Sequence, residues 1–360
     1  MKIERKEPVL NFRENDREKR GKFAGQYPHI VEDKVYYQME QPKEIHYARW
    51  DGEKYIKPHD NNIIKKSLSA HNFRVFIDTN PTTPFNERYK AVGGYHVGRG
   101  NTSNPNLYAD LKDCPISKDL EVVEYPDPVW TNETKLLFKD DFFHPRHANG
   151  LYVFVSEDGI NWREHYDKPI FSTFTPCVDE NSESCDVGVL GLDWMPSIFF
   201  DSNIEEYVIY LRANVALGCR QILYSHSQDL VNWSTPQIVS HIPSFDKNKR
   251  DNFYYAGVYP FKNKYIAFSP HFVNVIKDAA GHHRTYEEEY TSVMISYDRC
   301  NWETKDIILK YDSGLHLYQP HVVSFRKEND RDIIYVHEGF QTGAGKLVKY
   351  EIDLGGYDEE

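Results

Sequence analysis

Long apolar runs are missing from this 360-residue chain. No stretch approaches the roughly 20 residues a membrane-spanning helix needs, so no membrane partner is expected. The opening MKIERKEPVLNF has no apolar core of the kind a secretion signal carries. The chain is therefore read as cytoplasmic, or as secreted with its signal already removed. Positive charge is outweighed, 43 Lys and Arg against 55 Asp and Glu. The net −12 argues against nucleic acid or an anionic surface as the main partner. Cysteine is sparse as well: Cys114, Cys177, Cys185, Cys219 and Cys300 form no C-x-x-C pair and no metal-ligand spacing. They read most simply as free thiols, although Cys177 and Cys185 could close a small loop disulfide. None sits in a nucleophile context.

What the chain does have is aromatic side chains, 14% of all residues with 26 Tyr and 6 Trp, which favours strands and sugar-stacking surfaces. It also has a restated motif. SEDGINW (Ser156–Trp162), SQDLVNW (Ser227–Trp233) and SYDRCNW (Ser296–Trp302) all fit S-x-D-x-x-N-W, with tryptophans 71 and 69 positions apart. Asp, Asn and Gly suit a tight turn, and the Trp then opens the next strand. LYVFVS, QILYSHS and SVMIS precede the three turns and alternate as strands do.

The same order recurs upstream of each copy: FRVFID and RYKAVGGYH, MPSIFFD and EYVIYLRA, YYAGVYPF and KYIAFSPHF. Two weaker units flank them. YPHIVED, KVYYQME and IHYARWDGEKY come first, with Asp51 and Tyr55 in the Asp-to-Trp offset; YQPHVVSF, DIIYVHEGF and KLVKYEID come last. Five units of four strands predict an all-β, five-bladed β-propeller of four-stranded antiparallel blades over residues 1–360. PVLNF near the N-terminus is expected to supply the outer strand the last unit lacks. Two unrelated β-domains sharing a turn preference are the alternative. Residues 97–149 fit no blade and read as an insertion in the second, of the kind that shapes a binding rim.

In such a ring the first strands line a central channel whose mouth is the natural pocket. First strands open with Gln26, with His71 and Asn72 ahead of Arg74, with Asp193 and Trp194, with Tyr254 and Tyr255, and with His321. Second strands end with Glu40, His96, Arg212, His271 and Glu338. Two carboxylates across a sugar ring are what glycosidic cleavage needs, one as acid and one as nucleophile or base. Asp193, Glu338 and Glu40 are the catalytic candidates. Trp194, Arg212, His271, His321, Gln26, His71, Arg74 and His96 are the substrate-binding ones. Asp78 aligns with Asp201 at a first hairpin and, like Asp158, Asp229 and Asp298, reads as a turn residue. His282 and His283 are adjacent in a hairpin loop and make a poor metal pair. No cofactor and no metal are expected; a Ca²⁺ in the channel is conceivable but no oxygen-rich loop declares it.

On these segments, FIDTNPTTPFNERYKAV, GLDWMPSIFFDSNIEEYVIYLRAN and the SEDGINW corners, the chain resembles the five-bladed propeller glycoside hydrolases, the broad group containing families 32, 43 and 117. It is similar to bacterial members whose blades carry D-x-N-P…RYKA and S-x-D-G-x-x-W stretches. The resemblance implies an acid opening each of the first three blades. Here only Asp193 keeps one; Gln26 and His71 or Asn72 hold the other two places. A histidine is thought to act as the acid in family 117, which keeps His71, His271 and His321 open for that role. Glu40 and Glu338 are substitutes taken from the alignment of the units. The function expected is a glycoside hydrolase cleaving a terminal bond of an oligo- or polysaccharide. A glycoside phosphorylase using Arg212 and Arg74 for phosphate, and a non-catalytic carbohydrate-binding propeller, are the alternatives.

Overall fold

The computed structural model describes residues 2–12, 22–41, 44–58, 62–66, 71–95, 150–166, 168–172, 196–214, 220–241, 249–254, 256–276, 284–310, 321–339 and 345–357. Their strands form five sheets, four of them on a four-strand antiparallel path; the fourth blade's path is longer, ending in Lys249–Phe253 on one side and in the short Ser240–His241, parallel to Asn301–Lys310, on the other. Blade 1 holds Lys22–Val31, Lys34–Gln41, Glu44–Trp50 and Tyr55–Ile56. Blade 2 holds His71–Ile77, Tyr89–Tyr95, Gly150–Ser156 and Arg163–Glu164. Ser197–Asp201, Glu206–Asn214, Arg220–Ser227 and Gln237–Ile238 make blade 3. Blade 4 is built on Gly257–Phe261, Lys264–Ile276, Arg284–Ser296 and Asn301–Lys310, with Lys249–Phe253 pairing the far half of its long second strand. In blade 5, His321–Glu328, Arg331–Glu338 and Lys346–Ile352 are completed by Ile3–Asn11 from the other end of the chain. The ring-closing strand is thus the one the sequence pointed to.

Five apolar clusters show why the blades form a ring. Each joins neighbours: blades 1 and 2 around Tyr36, Phe73 and Phe154; 2 and 3 around Val153 and Ile209; 3 and 4 around Tyr210, Met294 and Trp302. Blades 4 and 5 share Phe268 and Val336, and blades 5 and 1 share Tyr335, Phe12 and Tyr37. A blade has two apolar faces, one per alternation of its strands, and neither can be covered except by the next blade.

The S-x-D-x-x-N-W corners have one geometry three times over. Asp158 Oδ1 accepts the amides of Ile160 and Asn161, both at 2.8 Å, and its Oδ2 accepts Asn161 Nδ2 at 2.7 Å. Asp229 and Asp298 repeat this with Val231 and Asn232, and with Cys300 and Asn301. Each indole donates to the carbonyl that follows the Asp: Trp162 to Gly159, Trp233 to Leu230, Trp302 to Arg299. Those three carbonyl residues have φ of 75°, 65° and 74°, a left-handed turn that Leu230 and Arg299 adopt despite their Cβ. Tyr36 of blade 1 and Tyr210 of blade 3 reach into the next blade's corner, donating to Gly159 O at 3.0 Å and Arg299 O at 3.1 Å.

A second set of latches runs from the first hairpins of blades 1, 2 and 3 to the following blade. Glu32 accepts from Tyr89, Asp78 from Tyr207 at 2.8 Å, and Asp201 from Tyr265 at 2.5 Å. Asp78 and Asp201 are therefore turn residues, as their alignment implied. Strands Tyr89–Tyr95 and Gly150–Ser156 are hydrogen-bonded neighbours, so residues 96–149 leave and rejoin one blade. Those residues, the Cys177–Cys185 pair and His282–His283 lie outside the described residues.

Candidate active site

Antiparallel pairing brings the starts of first strands and the ends of second strands to one rim of the ring. The register matches Gln26 to Gln38, His71 to Gly94, Phe253 to His271 and His321 to His337. The corners and first hairpins lie at the opposite rim, so the corner acids are far from the channel mouth.

On the blade 3 to blade 5 side, two candidates, Arg212 and His321, meet on Tyr254. The buried Arg212 guanidinium lies 5.0 Å from the ring centroid of Tyr254, and His321 stacks on the same tyrosine at 5.6 Å with a 21° interplanar angle. Burial, with His337 adding to it, holds His321 well below the usual histidine range, and burial brings His337 down to about 3. Both imidazoles are neutral at neutral pH. His271 is buried between Phe253 and Tyr290, with its Nε2 2.6 Å from Ser292 Oγ.

In blade 1, Gln26 is buried and lies between Gly25, at φ 76°, and Tyr27, at φ 51°. Gly25 is obligatory here, because a Cβ would sit 2.2 Å from Phe12 Cγ of the ring-closing strand. Just below, His29 Nε2 accepts the Val75 amide of blade 2 at 2.9 Å, which leaves Nδ1 as the protonated nitrogen, facing Tyr27 O at 3.4 Å. Burial, aided by the nearby Arg74 charge, keeps His29 well below its ordinary pKa. Arg74 itself is half-buried on the first strand of blade 2.

Glu338 is buried, and both its oxygens are engaged. Arg5 of the ring-closing strand holds it bidentately at 2.7 and 2.9 Å, and Tyr350 donates to Oε1 at 2.7 Å. It ties the N-terminal strand into blade 5. Glu40 and His71 sit on strands Lys34–Gln41 and His71–Ile77, but their side chains, with all of Asp193, Trp194 and His96, fall outside the described residues. Among the described residues, no group of three or more His, Cys, Asp or Glu is placed to hold a metal ion.

Among the described residues, the rim contains two that the sequence reading did not select as site residues, His337 and Tyr254. His337 is next to Glu338, and neighbours on a strand face opposite sides. Only the register shows which of the two turns towards His321.

No protein-family model and no curated protein sequence matches the chain. Solved structures do. A glycoside hydrolase superposes with a TM-score of 0.51 at 10% identity, over 93% of each chain. An endo-arabinase from Bacteroides thetaiotaomicron also gives 0.51, at 12% identity over 98% of each chain. The likeness is one of fold.

Proposed function

We propose that the chain is a glycoside hydrolase that cuts a terminal glycosidic bond at the channel mouth. The observation that carries this reading is the convergence of Arg212, Tyr254 and His321, from three successive blades, on the rim of a ring that a glycoside hydrolase and an endo-arabinase share. Corner acids are consumed by turns and Glu338 by Arg5, so the reading assigns the chemistry to Asp193 with Glu40 as its partner. One protonates the leaving oxygen while the other attacks or activates water. Arg212 and Gln26 would hold sugar hydroxyls, and the substrate is a carbohydrate.

The test is release of reducing sugar from a panel of plant and algal oligosaccharides. Asp193→Asn is expected to lower turnover by about 10²–10⁴-fold, the usual worth of a positioned acid or base. Turnover that survives the substitution sinks the assignment of Asp193. The commitment of Glu338 to Arg5 favours, as a second reading, a carbohydrate-binding propeller without catalysis; it predicts sugar binding and no product. Turnover that requires inorganic phosphate would instead make the chain a phosphorylase.

A further inference from the structure

Blade 1 has a buried polar cluster near its rim that the proposed chemistry does not use. Tyr37, Glu44, His46 and Asn62 are each 1% exposed. Glu44 and His46 share one face of the third strand, Tyr37 lies opposite His46 on the second, and Asn62 leads into Ile63–Lys66, which pairs with the third strand. Asn62 Nδ2 donates to the Tyr37 hydroxyl at 2.6 Å and to the Tyr47 carbonyl at 3.2 Å. A carbonyl can only accept, so the amide is fixed in orientation and its Oδ1 faces His46 Nδ1 at 2.9 Å. His46 therefore donates through Nδ1, and its Nε2 meets Glu44 Oε2 at 3.0 Å. Tyr37 stacks on the imidazole at 5.5 Å and 27°, and Phe12 of the ring-closing strand packs on Tyr37 at 5.1 Å.

Groups so deeply buried do not touch a substrate. They are also a poor source of stability, since an apolar set of the same shape would serve as well. What a saturated network does supply is a single geometry. The ladders on its two sides show where that matters. Between the first and second strands of blade 1 the register slips twice, from Ala24 to Gln26 and from Gln26 to His29, around the left-handed Gly25 and Tyr27. Between the second and third strands it is unbroken from the Lys34–Arg49 pair to the Met39–Glu44 pair. The rim end of the second strand is thus held in register chiefly from the third. Glu40 directly follows Met39, the residue paired with Glu44.

We infer that Glu44 and His46 are positioning residues, a buried clamp that fixes the strand end carrying Glu40 and so the place from which Glu40 enters the reaction. The inference rests on the reading above in which Glu40 partners Asp193, and it names the groups that act through Glu40. Without the clamp the strand end shifts, and a displacement of about 1 Å at a reacting group lowers the rate roughly 10²-fold. Contacts to substrate from the other blades are untouched, so the loss falls on kcat rather than on KM.

Amide hydrogen exchange and steady-state turnover of the full chain, on the same variants, test this. Glu44→Ala is expected to speed exchange at least about tenfold over residues 37–46, as the loss of one buried hydrogen bond does, with the other blades unchanged. On the substrate that the oligosaccharide panel identifies, kcat should fall about 10²-fold with KM within about threefold. Glu44→Gln, whose amide donates to His46 Nε2, should restore most of both. In a Glu40→Gln background Glu44→Ala should lower kcat no further, because the two act through one carboxylate. Val35→Ala, a cavity in the same interface away from the rim, should lower the melting temperature and spare kcat. The double variant Glu44→Met, His46→Leu leaves no buried charge behind and is expected to show the same kcat loss where Glu44→Ala does not fold. Exchange unchanged over residues 37–46, or raised equally in all blades, overturns the inference. So does a kcat loss that adds to that of Glu40→Gln, or one that Val35→Ala reproduces. Turnover that Asp193→Asn removes and Glu44→Ala spares would uphold the hydrolase and sink the clamp. A wild type without turnover on any glycan sinks the hydrolase reading, and the catalytic role of Glu44 and His46 with it.

Discussion

A single aspartate sets each corner of the ring, and its charge is what the turn uses. Burial raises the Asp158 carboxyl, but the amides of Asn161 and Ile160 and the Asn161 side chain outweigh it and bring the group down to about 2. Asp229 behaves alike: burial opposes, the Asn232 amide and side chain prevail, and the value is about 2. A carboxyl at about 2 when folded against an ordinary 3.8 contributes stability that is complete above about pH 4 and lost as pH falls towards 2. Denaturant midpoints should therefore drop between pH 4 and 2, and the double variant Asp158→Asn, Asp229→Asn should flatten that part of the curve. A slope unchanged by the double variant would place the acid sensitivity elsewhere. At this scale the sequence was easy to read, because Ser, Asp, Asn and Trp at fixed offsets bond within seven residues and need no distant partner.

Strands and hairpins depend on neighbours, and here prediction from pattern covers less. Asp78 was legible as a hairpin residue, yet its surroundings were not. It is buried with Lys90 Nζ at 3.1 Å, accepts from Thr83 Oγ1 at 2.6 Å, and holds Tyr207 of the next blade. Asp78→Ala leaves the buried Lys90 charge with only the longer contacts to Glu87, 4.0 Å to its carboxylate and 3.4 Å to its carbonyl, and is expected to cost about 3 kcal/mol in chemical unfolding, the low end of the range for breaking a buried pair from one side. The loss should leave sugar binding at the far rim unaltered wherever the variant is folded; a rim-binding defect in the folded variant would contradict the structural role. The second-strand ends show the opposite case. Glu338 looked like a channel acid because it ends its strand, but alternation turns it towards Tyr350 and Arg5 instead.

For the molecule as a whole, closure of the ring depends on its first dozen residues. Val9, Leu10 and Phe12 are buried between blades 5 and 1, and Phe12 touches Tyr37 and His337 at 5.1 and 5.2 Å. Phe12→Ala is expected to cost about 3–5 kcal/mol, against about 1–3 kcal/mol for Arg5→Met, which leaves the buried Glu338 carboxylate with Tyr350 alone. Urea titration of both checks the order, and an equal or reversed cost would mean that charge, not packing, closes the ring. The strand alternation, the seven-residue corners and the missing fourth strand of the last unit were enough by themselves to determine the blades, their number and the closing segment. Such signals are local or repeated, and the ring follows because each blade face needs a cover. That Arg212 and His321 both lie against Tyr254, and that the hairpin acids Asp78 and Asp201 hold Tyr207 and Tyr265 of the following blades, were decided only by tertiary structure. Those relations join residues from different blades, and a one-residue difference in register would turn each side chain to the other face.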